Sequence, residues 1–309
     1  MRILIELPSW LGDSVMTTPA IENLVIFFKN PDISLLGSVT SIEIFRNHPN
    51  VTKLYILDKN YVNLYKTIRE IGEVDIFISF RGSFRSKIAK FFVLSKSKYQ
   101  FDKNVFVNGH QVEKYNNFLN HSLQINTNVS NLKVHVKNKN KIINKKKLLG
   151  INPGASYGSS KRWYPKEFAR VAIDLSNQYD IIIFGGNEEK SMAEDIEKYL
   201  IKKGVYNYEN LASKTSISEL ISKIEDLDLF ITGDSGPMHL AAAFQVPTIA
   251  IFGPTNDKET SQWMNKQNVI VKKNLECQPC MKRTCPLKHH NCMKKIQAKD
   301  ILVEVQKFN

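Results

Sequence analysis

Short apolar segments alternate with longer amphipathic segments along most of the chain, and this alternation restricts the possible folds more than any other feature. The first apolar segment, 3–7, leads through a polar loop into a helical pattern at 15–28. A strand followed by a crossover helix predicts parallel pairing, because parallel neighbours need a long connection. Further strands are expected at 34–37, 54–57, 75–79, 180–184, 227–232 and 248–252, and further helices at about 165–178, 188–203, 216–225 and 237–244.

The pattern restarts with a strand at about residue 148, after a lysine-rich stretch at 133–147. A chain of 309 residues is long enough for two domains, at roughly 100 to 200 residues each. We therefore predict two Rossmann-like, doubly wound α/β domains, 1–147 and 148–309, with the lysine-rich stretch as a solvated linker. Sheets of this type bind ligands at the carboxyl ends of their strands, so we expect those ends to face a central cleft.

Basic residues outnumber acidic residues by 43 to 30, which gives a net charge of +13. Such a surplus favours a polyanionic partner: a phosphorylated substrate, an anionic membrane surface or nucleic acid. Nucleic acid is the least expected, because the chain lacks recognised RNA-binding motifs and interleaved aromatic residues. No apolar run approaches the roughly 18 residues of a membrane span, and Glu6 makes the N-terminus a poor signal peptide, so a cytoplasmic protein is expected.

The segment 231–243 contains the sharpest local motif, an apolar strand that ends in Gly-Asp-Ser-Gly-Pro and continues as a helix. Ser235 is expected to cap that helix, and Pro237 suits its first turn. Backbone N–H groups at Ser235 and Gly236 would lie at the positive end of the helix, which predicts a phosphate site; a simple βα turn is the alternative. His239, in the first turn, either reaches a ligand or packs in the core.

Two other loops of the second domain contain candidate ligand-binding residues. The loop 152–163 has Lys161 and Arg162 beside small residues, so it is either an anion clamp or a solvated loop anchored by Trp163. Glu188 follows a predicted strand, where a carboxylate either accepts hydrogen bonds from a ribose or an adenine amine or occupies the first turn of a helix. The full G-x-G-x-x-G fingerprint of dinucleotide-binding domains is absent.

In the first domain, the candidates lie on loops that follow predicted strands. Asp13 follows Gly12 on the first loop, where it is either a general base toward a bound hydroxyl or, like Ser14, a candidate helix N-cap. Arg81 and Arg85 follow a later strand and are either a clamp for phosphate or carboxylate groups or solvated residues at a helix start.

The 4 cysteines of the chain are close together in the sequence, and two histidines lie among them. This grouping predicts a structural zinc site or a set of reduced thiols, and disulfides are less expected in a reducing compartment. A catalytic metal is not expected here. The residues are Cys277, Cys280, Cys285 and Cys292, with His289 and His290, in the segment 277–292.

Several motifs occur in the order seen in the glycosyltransferase 9 family, and the chain resembles that family over about residues 1–296. Within the family it is most similar to the lipopolysaccharide heptosyltransferase II branch. The motifs are Pro-Ser-Trp-Leu-Gly-Asp-Ser-Val-Met at 8–16, Pro-Gly-Ala-x-Tyr-Gly at 153–158 with Lys-Arg-Trp at 161–163, Gly-Asp-Ser-Gly-Pro-Met-His at 233–239, Phe-Gly-Pro-Thr at 252–255 and Cys-Pro-Leu-x-His-His-x-Cys at 285–292.

The resemblance implies a GT-B fold and inverting transfer of L-glycero-D-manno-heptose from ADP-heptose to the first heptose of the lipid A-linked inner core. It implies no required cofactor. A different acceptor, as in heptosyltransferase I, is the alternative within the family. The basic first domain would hold the anionic acceptor, and the protein would lie peripherally on the anionic inner face of the inner membrane.

The resemblance also implies residue roles. Asp13 is the expected general base, and Lys161 contacts the diphosphate where other transferases use a metal ion. The segment 234–236 holds sugar hydroxyls and phosphate, and Glu188 or Glu189 is the matching carboxylate. The expected donor-binding residues are Ser156, Lys161, Glu188, Asp234, Ser235, Gly236 and His239, and the expected acceptor-binding residues are Trp10, Gly12, Arg81 and Arg85.

Overall fold

The structure is a computed structural model that describes residues 1–58, 60–137 and 146–308. The chain divides into two compact units, Met1–Asn138 and Lys139–Asn309. The predicted lysine-rich linker at 133–147 spans this division, and its residues 138–145 lie outside the described ranges. None of the described helices is both long and apolar enough to cross a membrane.

The first unit is a five-stranded parallel sheet whose strands are connected by helices. In chain order its elements are β1 (Arg2–Glu6), α1 (Leu11–Met16), α2 (Thr18–Phe27), β2 (Asp32–Gly37), α3 (Val39–Glu43), β3 (Val51–Ile56), α4 (Tyr61–Ile71), β4 (Val74–Ser79), α5 (Phe84–Phe92), β5 (Ser95–Gln100) and α6 (Gln111–Leu123). The strand order is β3-β2-β1-β4-β5. Strand β1 is central, and its residues Ile3, Leu4 and Ile5 are fully buried, which explains its continuous apolar sequence.

The single helix predicted at 15–28 is instead two helices, α1 and α2, which meet at Thr17. Thr17 Oγ1 donates a hydrogen bond to the Ser14 carbonyl at 2.7 Å, and Thr18 Oγ1 donates to the Val15 carbonyl at 2.7 Å. Pro19 lies in the first turn of α2, where its missing N–H removes no helical hydrogen bond. Thr17 thus separates the end of α1 at Met16 from the start of α2 at Thr18.

The second unit is a six-stranded parallel sheet. In chain order its elements are β6 (Lys147–Asn152), α7 (Pro165–Leu175), β7 (Tyr179–Ile183), α8 (Lys190–Lys202), β8 (Tyr208–Asn210), α9 (Ile217–Glu225), β9 (Leu229–Gly233), α10 (Gly236–Ala243), β10 (Thr248–Ile251), α11 (Asp257–Thr260), β11 (Asn268–Val271), α12 (Asn291–Lys294) and α13 (Ala298–Val305). The strand order is β11-β10-β9-β6-β7-β8.

In each sheet, the first three strands in the chain lie side by side toward one edge, and the chain then returns to the first strand and continues toward the other edge. This change of direction lies between β1 and β4 in the first unit and between β6 and β9 in the second. The strand register pairs Glu6 with Ser79 in the first sheet and Asn152 with Thr232 in the second. Loops that leave these paired strand ends diverge and leave room for a ligand, so each unit provides one candidate site.

Candidate active site

Lys161 and Asp234 form an ion pair near the carboxyl ends of β6 and β9. The Lys161 Nζ donates to Asp234 Oδ2 at 2.6 Å and lies 3.3 Å from the Asp234 backbone oxygen. Thr255 Oγ1 donates to the same carboxylate oxygen at 2.6 Å, and Asp234 is only 5% exposed. The Tyr157 ring lies 4.7 Å from Nζ. A buried carboxylate and an aromatic ring therefore fix the position of the Lys161 ammonium.

The prediction that Ser235 is the N-cap residue of α10 is confirmed, but its side chain makes no capping hydrogen bond. Its backbone occupies the N-cap position, but its Oγ accepts from Asn152 Nδ2 at 3.1 Å and lies 3.0 Å from Thr232 Oγ1. Asn152 thereby connects the β9 loop to β6. Because Ser235 Oγ contacts Asn152 and Thr232, it does not accept a hydrogen bond from the first backbone N–H groups of α10. These N–H groups, at the positive end of the helix, can therefore bind an anion.

Two adjacent carboxylates after β7 have different environments. Glu188 has a 74% exposed side chain, 3.5 Å from an Arg162 guanidinium nitrogen. Glu189 is buried and accepts the Gly186 N–H at 2.9 Å. A Cβ at Gly154 would overlap Glu189 Cγ, so Glu189 packs against the backbone of the β6 loop. Glu189 is therefore placed to support this loop, whereas Glu188 is accessible to a ligand.

Two further expected donor-binding residues differ in exposure. His239 is buried in α10, with 3% of its surface exposed. Of the two readings of the sequence, this burial favours packing in the core. Ser156 lies exposed in the turn that precedes Tyr157.

The cysteine-rich segment 277–292 supports the loop that contains Lys161. Ser160 N–H donates to the Arg283 carbonyl at 3.1 Å, and Tyr157 OH donates to the Met281 carbonyl at 2.8 Å. The Arg283 guanidinium lies 5.5 Å from the centre of the same Tyr157 ring that Lys161 contacts. Trp163 is buried, and its indole N–H donates to the Ile296 carbonyl at 2.9 Å. It therefore anchors the loop, as one of the two alternatives from the sequence predicted.

The four thiols are free, and they line one small cavity of about 20 Å³ together with His289 and His290. Burial raises the pKa of the Cys292 thiol, and the other three cysteines raise it further. His290 Nε2 lies 2.8 Å from the Ser160 carbonyl, and His289 Nδ1 accepts the Asn291 N–H at 3.0 Å. Within the described residues, no three ligand atoms of this segment lie within 4.8 Å of one another. The geometry thus gives no preassembled ligand set, and structural zinc stays a prediction.

In the first unit, Asp13 lies in the first turn of α1. The N-cap of this helix is Trp10, and Ser14 Oγ donates to the Pro8 carbonyl at 3.0 Å, so the capping alternative for Asp13 and Ser14 was wrong. Burial raises the pKa of Tyr115 well above its ordinary value, and the nearby Asp13 carboxylate raises it further. Asp13 is half-buried, which keeps its carboxylate within reach of a ligand.

A buried acid that the sequence did not single out as functional, Glu6, organises the two arginines. It ends β1 and accepts hydrogen bonds from Ser79 Oγ at 2.6 Å and Ser86 Oγ at 2.9 Å. The Arg81 guanidinium lies 3.7 Å from Glu6 Oε1. Burial raises the pKa of Glu6, although the serine hydrogen bonds and the charges of Arg81 and Arg85 oppose this shift. The sequence feature that could have identified Glu6 as functional is an acidic residue in an otherwise apolar central strand.

Arg81 and Arg85 are half-buried, so neither is the solvated helix-start residue that the sequence also allowed. The Arg85 guanidinium lies 5.4 Å from the Tyr61 ring centre. Its Nε and Nη2 atoms are buried and have no hydrogen-bond partner among the residues that the structure describes. Unsatisfied guanidinium donors of this kind are suited to the oxygens of a phosphate or carboxylate.

The other two expected acceptor-binding residues lie at the start of α1. Trp10 is 51% exposed and presents its indole ring to solvent, whereas Gly12 is buried. An exposed indole at this position can pack against the apolar face of a sugar ring.

Each of the two α/β units has a parallel sheet with polar residues at the carboxyl ends of its central strands. These features are typical of two-domain α/β enzymes, which bind ligands at those strand ends. The model of glycosyltransferase family 9 (heptosyltransferase) matches residues 66–291, and the chain belongs to this family. The family membership predicted from the sequence motifs is therefore confirmed.

The chain is 42% identical to lipooligosaccharide heptosyltransferase 2 of Campylobacter jejuni serotype O:6, over 100% of this chain and 99% of that protein. It is 26% identical to lipooligosaccharide heptosyltransferase 2 of Haemophilus influenzae, over 87% of this chain and 88% of that protein. Among solved structures, E. coli ADP-heptose lipopolysaccharide heptosyltransferase II matches with a TM-score of 0.82 at 20% identity, over 100% of this chain and 98% of that chain. This structural match confirms the predicted GT-B fold.

Proposed function

We propose that the protein is an inverting transferase that moves L-glycero-D-manno-heptose from ADP-heptose to the first heptose of a lipid A-linked inner core. The observation that carries this proposal is the 42% identity with a lipooligosaccharide heptosyltransferase 2 over the full chain. Motifs at both predicted sites are included in that match.

The second unit is proposed to bind the ADP-heptose donor. As the anomeric bond breaks, negative charge develops on the β-phosphate, and the Lys161 ammonium and the first N–H groups of α10 can stabilise it. Asp234 and Thr255 hold Lys161 in place before the donor arrives. Ser156 and Glu188, which are exposed on neighbouring loops, are proposed to contact the donor. The proposal requires no cofactor.

The first unit is proposed to bind the acceptor. Asp13 would accept the proton of the attacking hydroxyl, and Trp10 would pack against a sugar ring of the acceptor. Arg81 and Arg85 would bind anionic groups of the inner core, a role supported by the buried, unpartnered Nε and Nη2 of Arg85. The glycolipid acceptor places the protein peripherally at the anionic inner face of the inner membrane, where the surplus of basic residues favours association.

The experiment that tests this function measures ADP release by the purified protein in EDTA. The donor is ADP-heptose, and the acceptor is either Kdo2-lipid A or its mono-heptosylated form. We expect turnover with the heptosylated acceptor only. Turnover with Kdo2-lipid A only would assign the activity of heptosyltransferase I, and no turnover with either acceptor would refute the proposed reaction.

A further inference from the structure

Helix α5 exposes large aromatic side chains to solvent. Phe84 is 73% exposed and Phe91 is 77% exposed, although phenylalanine is among the residues most often buried in soluble proteins. Lys87 lies between them on the same face, because residues three and four positions apart are neighbours on a helix. Ser86 and Ala89 on the opposite face are buried. The outer face of α5 therefore alternates aromatic and basic side chains.

The exposed residues of α4 extend this face into one surface. The Tyr65 and Phe92 rings are 5.2 Å apart and meet edge to face, which joins the apolar side chains of the two helices. Contiguous exposed apolar side chains mark an interaction site more often than scattered ones do. We call this the aromatic–basic surface, and it comprises Tyr61, Tyr65, Phe84, Phe91, Phe92 and Leu94 with Lys87.

The charge of this surface selects among possible partners. Helix α5 contains three basic residues and no acidic residue. Exposed phenylalanine rings beside lysines suit the interface of an anionic bilayer, because the rings enter the head-group region while the ammonium groups reach lipid phosphates. The sequence expectation that aromatic residues are not interleaved with basic residues is wrong for this helix.

We infer that the aromatic–basic surface docks the first unit on an anionic lipid bilayer. The inference rests on the proposed function, because the proposed acceptor is a glycolipid. Arg85 follows Phe84 directly in α5 and contacts Tyr61 of α4, so the same two helices contain bilayer-facing and acceptor-facing side chains. Docking would therefore keep the acceptor arginines close to the lipid head groups.

The test measures cosedimentation of the full-length protein with phosphatidylcholine vesicles, prepared with and without phosphatidylglycerol. We expect binding that requires phosphatidylglycerol and weakens with salt. The double substitution Phe84→Ser and Phe91→Ser should lower the partition coefficient at least about tenfold, because two phenylalanine side chains no longer leave water. Lys87→Glu should also weaken binding to the vesicles that contain phosphatidylglycerol, because it replaces an attractive charge by a repulsive one.

Tyr206→Ser is the matched control, since Tyr206 is 72% exposed but lies in the second unit. It should bind vesicles as the unmodified protein does. ADP release with a deacylated, water-soluble acceptor should be unchanged in the Phe84→Ser, Phe91→Ser protein. This arm separates loss of docking from loss of catalysis, and vesicle binding can be measured even if the proposed reaction is refuted.

Several outcomes would overturn the inference. These are no binding to anionic vesicles, equal binding with and without phosphatidylglycerol, and unchanged binding by the double variant. A self-association or an RNA complex that the double substitution abolishes, without vesicle binding, would assign the surface to a second copy of the chain or to nucleic acid instead.

Discussion

Replacing Glu22 by Gln is expected to destabilise the first unit in a pH-dependent way. Glu22 on α2 has three partners: His48 Nε2 at 3.2 Å, His135 Nε2 at 2.8 Å and Lys133 Nζ at 2.9 Å. The His48 Nδ1 accepts the Asn50 N–H at 3.2 Å, which helps to orient the ring. These contacts tie the 133–135 segment to α2.

The magnitude follows from the pKa of Glu22. Burial raises this pKa, but the neighbouring His48, His135 and Lys133 outweigh burial and lower it from 4.5 to about 2. At about 1.4 kcal/mol per pKa unit, the ionised carboxylate stabilises the fold by about 3 kcal/mol at pH 7. Because the folded-state pKa is the lower one, this stabilisation is complete above the unfolded-state pKa and disappears as the pH falls toward the folded-state pKa. About 1 kcal/mol would remain at pH 3.

The assay is urea unfolding of the unmodified and Glu22→Gln proteins at pH 7 and pH 3 in EDTA. Hydrogen exchange of peptides from α2 should be the probe, because it reports the first unit separately from the second. Glu70→Gln, which removes an exposed carboxylate from α4, is the matched control and should change stability by less than about 0.5 kcal/mol. A Glu22→Gln effect of the same size at both pH values would refute the reasoning.

Four other substitutions test the proposed sites. Asp13→Asn should lower turnover about 10²- to 10⁴-fold in the ADP-release assay while calorimetry shows unchanged ADP affinity, since only the proposed general base is lost. Lys161→Met should weaken ADP binding at least about tenfold in the same titration, because a charge-assisted contact to phosphate is removed. Arg81→Ala should raise the acceptor KM, and this effect should shrink at high salt; a salt-independent KM would contradict it. Gly154→Ala should lower the thermal midpoint, at a cost of about 1–3 kcal/mol, because its Cβ overlaps Glu189.

The central strands and the edge strand β3 were predictable from the sequence, whereas the edge strands β5, β8 and β11 were not. Strand β1 and its neighbours are buried on both faces, so they appear as continuous apolar runs. Strand β5 has the sequence Ser-Lys-Ser-Lys-Tyr-Gln and is partly exposed, and β8 has only three residues. Pairing with a neighbouring strand, and not local hydrophobicity, determines these edge strands.

The sequence singled out candidate site residues one loop at a time, but it did not predict which of them contact one another. Lys161 and Asp234 are separated by 73 positions in the chain, and each was identified from its own loop. Their ion pair depends on the adjacency of β6 and β9, which the sequence pattern does not specify. The side-chain partner of Ser235 was not predictable for the same reason, because Asn152 belongs to another strand.

The Lys161–Asp234 ion pair lowers the net positive charge that the site in the second unit presents to a diphosphate. An ammonium that already balances a buried carboxylate contributes little net charge, so a diphosphate needs further positive groups to offset its own desolvation. The positive end of α10 is one such group. Arg283 is another, because it contacts the same Tyr157 ring as Lys161 and its backbone carbonyl accepts the Ser160 N–H. The cysteine-rich segment thus connects to the proposed donor site through Arg283.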